Sequence, residues 1–175
     1  MKLAPAKGGA HLTYCTNIHP GETWEEVSHA LKVHLPAVKA QLCPDQDFGV
    51  GLRLSAATAR DLQDPEAFAE LQDILTTAGL YGFTINGFPY GNFHGARVKE
   101  GVYQPDWRTG DRLAYSNHLA DLLVRLLPDD GSIDGSISSV PGGFKADVEG
   151  PETIRAMVDT MLRHAAYLVH LRRLT

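Results

Sequence analysis

Residues 48–85 read FGVGLRLSAATARDLQDPEAFAELQDILTTAGLYGFTI, and this stretch decides the fold. It begins and ends with apolar segments, 48–54 and 80–85, that have the length and composition of buried strands. Between them, Asp64 as N-cap and Gly79 just past the end bracket an amphipathic helix. A strand, a helix and a strand in this order predict two parallel strands joined by a right-handed crossover.

The same order continues upstream of that stretch. A strand over 11–16 precedes a helix that begins near Thr23, where Glu26 completes a capping box, and that ends around Cys43. Pro36 is expected to kink or divide this helix, because proline lacks the N–H that continues the helical hydrogen bonds.

Downstream, a helix is predicted over 111–127, a fourth strand over 133–140 and a last helix from near Pro151 onward. Four strand–helix units predict an α/β fold of parallel strands with outer helices. Both a TIM barrel and an open doubly wound sheet satisfy this pattern. The sequence has no GxGxxG after its first strand and no GxxxxGKS or GxxxxGKT, the common nucleotide-binding motifs of open sheets, which favours the barrel.

The length limits the barrel interpretation. The 175 residues fall short of the roughly 200 to 250 that a complete eight-unit barrel needs. The sequence therefore predicts a TIM-barrel type half barrel of about four units, a single domain over residues 1–175 with a flexible N-terminus at 1–9.

Composition excludes several classes of partner. The net charge is −5, with acidic and basic residues interspersed, so no basic stripe is present to neutralise the phosphates of a nucleic acid. No stretch approaches the roughly 18 consecutive apolar residues of a membrane span, and the N-terminus lacks the apolar core of a signal peptide. Two cysteines without CxxC spacing fit a reducing compartment. These features predict a cytoplasmic protein with neither a nucleic-acid partner nor a membrane span.

In parallel α/β folds the working residues lie at the carboxyl ends of the strands and in the loops that follow. In this chain those segments are polar and aromatic. They supply two candidate catalytic residues, His19 and His94. The candidate substrate-binding residues are Asn17, Arg53, Asn86, Tyr90, Phe93, Lys99, Tyr103, Trp107 and Lys145, with Asp106, Ser138 and Ser139 nearby in sequence.

The loop after the third strand is the most informative part of the chain. Residues 86–95 read NGFPYGNFHG, which combines glycines, aromatic faces and directional amide and imidazole groups. Such a surface suits a sugar or polyol, although a loop packed on itself would use the same residues. The binding interpretation is favoured.

Two strand-end residues have open alternatives. His19, beside Pro20 and Gly21, either satisfies a turn or acts in ligand binding or acid–base chemistry. Arg53 interrupts an apolar strand, so it either forms a structural ion pair or holds an anionic group of a ligand.

A divalent metal, Mg²⁺, Mn²⁺ or Zn²⁺, is a further possibility. The chain has no HxH, HExxH or DxD spacing, but His19, His94 and Asp106 come from different loops and could converge. Isolated surface histidines are more common than histidines that bind a metal ion. A serine nucleophile has even less support, because Ser138 and Ser139 lie outside any GxSxG motif.

Four segments carry a resemblance to a known family. They are 11–24 (HLTYCTNIHPGETW), 83–95 (FTINGFPYGNFHG), 98–107 (VKEGVYQPDW) and 136–145 (SISSVPGGFK). They resemble the EboE-like metabolite traffic proteins, a xylose-isomerase-like TIM-barrel family, over what looks like its N-terminal half. The resemblance implies a TIM-barrel fold and a part in making or moving a secondary metabolite or its precursor. Barrels of this kind often bind a divalent metal through acidic residues on later strands, which this chain lacks.

The sequence therefore predicts two alternative functions and, separately, an association that completes the barrel. The first function is binding of a small molecule, namely a sugar, polyol or natural-product precursor. The alternative is a metal-dependent sugar or sugar-phosphate isomerase or epimerase, with His19 or His94 as acid–base and Arg53, Lys99 or Lys145 holding an anion. Because half a barrel leaves two sheet edges and an uncovered apolar barrel-facing surface, we expect self-association or completion by a missing C-terminal half.

Overall fold

The computed structural model describes residues 1–3, 10–91 and 101–174. Its four strands form one fully parallel sheet in the order β1-β2-β3-β4, which confirms an α/β fold of parallel strand–helix units. The elements are β1 (Thr13–Cys15), α1 (Trp24–Leu42), β2 (Phe48–Arg53), α2 (Ala56–Asp61), α3 (Pro65–Thr77), β3 (Leu80–Asn86), α4 (Gly110–Leu126), β4 (Ser136–Ser138) and α5 (Gly150–Leu174).

The helix starts follow the capping signals of the sequence. The Thr23 side chain accepts a hydrogen bond from Glu26 N, and Glu26 Oε2 accepts one from Thr23 N, which completes the predicted capping box. α1 nevertheless runs through Pro36 as one helix, so the predicted division does not occur. Leu31 and Leu35 lie just before Pro36 and are fully buried, and their packing holds the helix against the core.

One face of the sheet is covered by α1 to α4 and forms the main core. Strand side chains alternate, so every second residue of β2 and β3 points into this layer. The completely buried side chains include Leu31, Leu35, Val50, Leu52, Leu71, Leu119 and Leu122.

Small and polar side chains line the part of the opposite sheet face near the carboxyl ends of the strands. An added Cβ on Gly51 would lie 3.0 Å from Cys15 Sγ and 3.3 Å from Thr84 Cγ2, so small residues let these strands lie close together. Thr84 Oγ1 in turn lies 2.8 Å from Ser136 Oγ. Toward the amino ends of the strands the face carries an aromatic cluster, in which the ring of His11 lies 5.6 Å from that of Tyr81 and 4.8 Å from that of Phe83. The most exposed large apolar side chains lie mostly on α5.

The outer strands are shorter than predicted. β4 covers three residues instead of 133–140, because it pairs only with the last three residues of β3. β1 ends at Cys15, where the chain turns into a 3₁₀ helix (Thr16–Ile18). At the N-terminus, Lys2 bridges His11 in antiparallel fashion. Residues 4–9 of the predicted flexible segment lie outside the described residues.

The last helix, α5, packs mainly against α4. His164 Nδ1 lies 2.8 Å from Asn117 Oδ1, and the Tyr167 hydroxyl donates a 2.6 Å hydrogen bond to Asp121 Oδ1. None of the described helices, α5 included, combines the length and apolar character that a membrane crossing requires.

Burial of His164 predicts acid sensitivity of the α4–α5 contact. Desolvation lowers the pKa of His164 below 6.5, so the unfolded chain takes up this proton more readily than the native protein. The contribution of the buried, neutral His164 to the free energy of unfolding is fully present above pH 6.5 and is lost as the pH falls. We expect the urea midpoint of the wild type to drop more steeply from about pH 7 to 5 than that of His164→Gln. His170→Gln, at an exposed position of the same helix, is the control, and equal slopes for all three proteins would contradict this.

Candidate functional site at the carboxyl ends of the strands

Three candidate residues form a row across the sheet. Arg53, Asn86 and Ser138 end β2, β3 and β4, and they are partners in the strand register. Asn86 Oδ1 accepts hydrogen bonds from Ser138 Oγ at 2.7 Å and from Phe88 N at 3.3 Å. We call these three residues the strand-end row. The sheet thus brings together side chains that are far apart in sequence, as the parallel topology predicts.

Arg53 is the most buried member of the row, with 2% of its surface exposed. Its guanidinium donates to Gly21 O, to Gly91 O at 2.6 Å and to Glu22 Oε1 at 2.8 Å. The structural ion pair proposed as one alternative is therefore present. Arg53 ties the loops after β1 and β3 to β2, and Glu22 neutralises its charge.

A second arginine holds the start of the loop after β3. Arg112 of α4 is completely buried, and its Nε donates to Pro105 O at 2.8 Å. Nη1 donates to Gly87 O at 2.9 Å, and both terminal nitrogens lie 3.4 Å from Phe88 O. At Gly87 an added Cβ would lie 2.6 Å from Leu119 and 2.8 Å from Ser138 O, so only glycine fits. The described part of this loop is fixed in place rather than loosely attached.

The positive charge of Arg112 is compensated by aromatic rings and backbone carbonyls instead of a carboxylate. Its guanidinium carbon lies 5.6 Å from the Tyr90 ring centroid and 5.4 Å from that of Tyr115. Burial lowers the pKa of Arg112 and raises the pKa of Tyr115. The Tyr115 hydroxyl donates to Leu54 O at 2.6 Å and to Pro89 O at 3.2 Å.

The sequence interpretation missed both Arg112 and Tyr115. The available signal was an arginine in the first turn of α4, where the helix dipole disfavours a cation. Such a position requires carbonyl or π partners from elsewhere in the fold.

The aromatic candidates that the structure describes pack against other side chains of the chain. They are Tyr90, Tyr103 and Trp107. Tyr90 meets Tyr115 edge to face at 5.1 Å, and Tyr103 packs against Phe88 and Phe144. Trp107 is buried, and its Nε1 donates to Ser139 Oγ at 3.0 Å and to the carbonyl of Val140 at 3.1 Å. These contacts correspond to the self-packed alternative for this loop.

His19 follows the 3₁₀ turn at the carboxyl end of β1, and it lines a small cavity together with Arg53 of the strand-end row. Its Nε2 is 3.0 Å from the Tyr14 hydroxyl, and its ring stacks on His34 of α1 with centroids 4.3 Å apart. Two open clefts, of about 410 and 570 Å³, flank this histidine pair. The contacts of His19 favour a structural role at the β1–α1 junction.

Of the other candidates, Asn17 is half-buried in the 3₁₀ turn after β1, and Lys145 is exposed at the start of another (Lys145–Asp147). Phe93, His94 and Lys99 lie outside the described residues.

The predicted metal ligands that the structure describes do not converge. Asp106 is buried, and Arg108 Nε lies 2.9 Å from both of its carboxylate oxygens. Burial alone would raise the pKa of Asp106, but the hydrogen bonds from Arg108 hold it below its usual range. Within residues 1–3, 10–91 and 101–174, no group of three His, Cys, Asp or Glu is placed to hold an ion. The described residues therefore do not fit a metal site, and the divalent ion stays a prediction.

Comparisons of the chain with protein-family models, curated proteins and solved structures found no match. The chemistry of the strand-end row is therefore the basis for a function. It offers an amide, a hydroxyl and a guanidinium that is already neutralised, at the carboxyl ends of three neighbouring strands.

Proposed function

We propose that this chain is a TIM-barrel type domain, similar to the xylose-isomerase-like EboE metabolite traffic proteins, that binds a small neutral metabolite at the carboxyl ends of its strands. The ligand is a sugar, a polyol or a natural-product precursor with comparable hydroxyl groups. The observation that carries the proposal is the strand-end row, in which Asn86 is the register partner of Arg53 on one side and of Ser138 on the other.

The charge at the row favours an uncharged ligand. Glu22 neutralises Arg53, and the other hydrogen bonds of its terminal nitrogens go to the carbonyls of Gly21 and Gly91. A phosphate at this point would therefore meet a carboxylate as well as a guanidinium. Amide and hydroxyl groups on a rigid frame, by contrast, match the donors and acceptors of a polyol.

Binding has more support here than catalysis. The ring of His19, the described candidate for acid–base chemistry, stacks on His34 and lies 3.0 Å from the Tyr14 hydroxyl, and these contacts favour a role at the β1–α1 junction. The alternative, a metal-dependent sugar or sugar-phosphate isomerase or epimerase active in a completed barrel, depends on His94, on Lys99 and on ligands from a second half. Turnover of aldoses or their phosphates with Mg²⁺ or Mn²⁺ would favour that alternative.

Substitution of the row tests the binding proposal. We expect Asn86→Ala to weaken binding of a neutral aldose or polyol about tenfold, because one or two hydrogen bonds to the ligand are lost. Isothermal titration calorimetry with aldopentoses, aldohexoses and their alditols measures the effect. The corresponding monophosphates should bind the wild type more weakly than the neutral compounds.

Asn117→Ala is the matched control for this experiment. Asn117 also forms a side-chain hydrogen bond, but with His164 in the α4–α5 contact. It should leave ligand affinity unchanged. Equal affinities of the wild type and Asn86→Ala for every compound that binds would refute the assignment of the site to the row.

A further inference from the structure

The guanidinium of Arg53 has one buried donor that the chain does not satisfy. Its two terminal nitrogens donate to the carbonyls of Gly21 and Gly91 and to the carboxylate of Glu22. Its Nε is buried, and no acceptor in the described part of the chain lies within hydrogen-bond reach of it. Such a donor is costly, because a buried N–H of a charged group has lost its hydration without a replacement.

A small cavity lies beside this guanidinium. It measures about 10 Å³, which is close to the roughly 10 to 15 Å³ that a single water molecule requires. Arg53 lines it together with Thr16, His19 and Gly21 from the segment after β1 and with Ala30 and Leu31 of α1. We call it the Arg53 cavity. Its size excludes a sugar or a phosphate, and the guanidinium disfavours a small cation such as ammonium, so water is the guest that fits.

Two further polar groups of the lining residues match a water molecule. Thr16 Oγ1 accepts a hydrogen bond from Arg53 N at 2.8 Å, and the hydroxyl still has its own proton to donate. The carbonyl oxygen of Gly21 accepts from Arg53 Nη1 and has a second lone pair. Together with Arg53 Nε, these groups give a water the number of polar partners that buried waters normally have.

Solvent reaches the Arg53 cavity from one side. His19, Pro20 and Ala30 line both the cavity and the 570 Å³ cleft along α1. They form the wall between the two, so a water molecule can enter from the cleft without unfolding of the domain. Apolar cavities of this size stay empty, but a cavity that faces a buried charge with an unused donor favours hydration.

We propose that the Arg53 cavity is a binding site for one structural water molecule. The water accepts a hydrogen bond from Arg53 Nε and a second from the Thr16 hydroxyl, and it donates one to the Gly21 carbonyl. It completes the hydrogen bonding of the buried arginine and joins the loop after β1 to the end of β2. The fold requires this water whether or not a ligand binds at the strand-end row, so the inference is independent of the proposed function.

Nuclear magnetic resonance of the full, ¹⁵N-labelled chain tests for the water directly. The Nε–H of Arg53 gives its own signal, and through-bond correlations to the Arg53 backbone assign it. We expect this proton to show a water cross peak of opposite sign in NOESY and ROESY spectra, which distinguishes a bound water from exchange of the proton with solvent. The Nε–H of Arg60, an exposed residue of α2, is the control and should show exchange only.

Substitution of Ala30 provides a second test. Serine at this position places a hydroxyl in the Arg53 cavity and takes over the role of the water, whereas cysteine fills the space with a poor hydrogen-bonding group. Under reducing conditions we therefore expect a higher urea midpoint for Ala30→Ser than for Ala30→Cys, and both variants should lose the water cross peak. Ala59 is the matched control, because it is completely buried in the main core and does not line the cavity. There the cysteine variant should have the higher midpoint.

Opposite orders of the serine and cysteine variants at Ala30 and Ala59, together with the cross peak of the wild type, would establish the water site. A wild type whose Arg53 Nε–H shows no bound-water cross peak would overturn the proposal. The same order of the two variants at both positions would also overturn it, because the cavity would then behave like the dry core around Ala59.

Discussion

Arg112→Met is expected to lower the free energy of unfolding by about 3 to 5 kcal/mol, because it leaves one buried and two partly buried carbonyls without their donor. These are the carbonyls of Gly87, Phe88 and Pro105, which the guanidinium reaches from α4. The substitution also removes the cation from the faces of Tyr90 and Tyr115. Urea denaturation followed by circular dichroism measures the change.

Arg112→Lys separates charge from geometry in this experiment. Lysine keeps the positive charge, but it cannot reach the same carbonyls with a planar set of donors, so we expect most of the loss to remain. Arg60→Met, at an exposed position on α2, is the control and should change stability by less than about 0.5 kcal/mol. A loss for Arg112→Met no larger than that of the control would show that the buried arginine does not hold the loop.

Arg53→Met is expected to cost about 3 kcal/mol, because it breaks a buried ion pair and leaves the Gly91 carbonyl and Glu22 without their partner. Glu22 is partly exposed, at 32% of its side chain, so water compensates some of the loss on that side. Glu22→Gln should therefore cost less than Arg53→Met.

A double-mutant cycle with Glu22→Gln and Arg53→Met measures the coupling between the two residues. We expect the double variant to be more stable than the sum of the single losses implies, by about 1 to 2 kcal/mol. Additive losses would mean that Arg53 acts through the carbonyls of Gly21 and Gly91 and not through the ion pair.

These two arginines also affect the proposed ligand site. Arg53 joins the loops after β1 and β3 to the end of β2, and Arg112 joins the loop after β3 to α4. Together the two arginines fix the backbone around Asn86. Arg53→Met and Arg112→Met should therefore each weaken sugar binding, although Arg112 belongs to α4 and not to the row. A buried frame of this kind gives a ligand site the rigidity that small polar ligands require.

The sequence predicted the elements because their signals are local. Capping residues, the glycine after α3 and the apolar spacing of the helices depend on neighbours within about one turn. Thr23 with Glu26 and Asp64 with Glu66 accordingly form the predicted hydrogen bonds. The order of strands and helices then led to parallel strands, and with them to Asn86 and Ser138 side by side.

Only the tertiary structure shows which polar side chains form hydrogen bonds that hold the fold together. The sequence marks Arg53 and Trp107 as candidates for a ligand, but their partners, Glu22 in one case and Ser139 with Val140 in the other, lie more than 30 residues away. The local signal for Arg112 is a cation in the first turn of α4, and this signal does not identify the loop carbonyls that accept its hydrogen bonds. The sequence does not show that many of the most exposed large apolar side chains lie on α5. Local patterns determine secondary structure, whereas the partners of a buried charge and the exposure of an apolar side are fixed only when distant segments pack together.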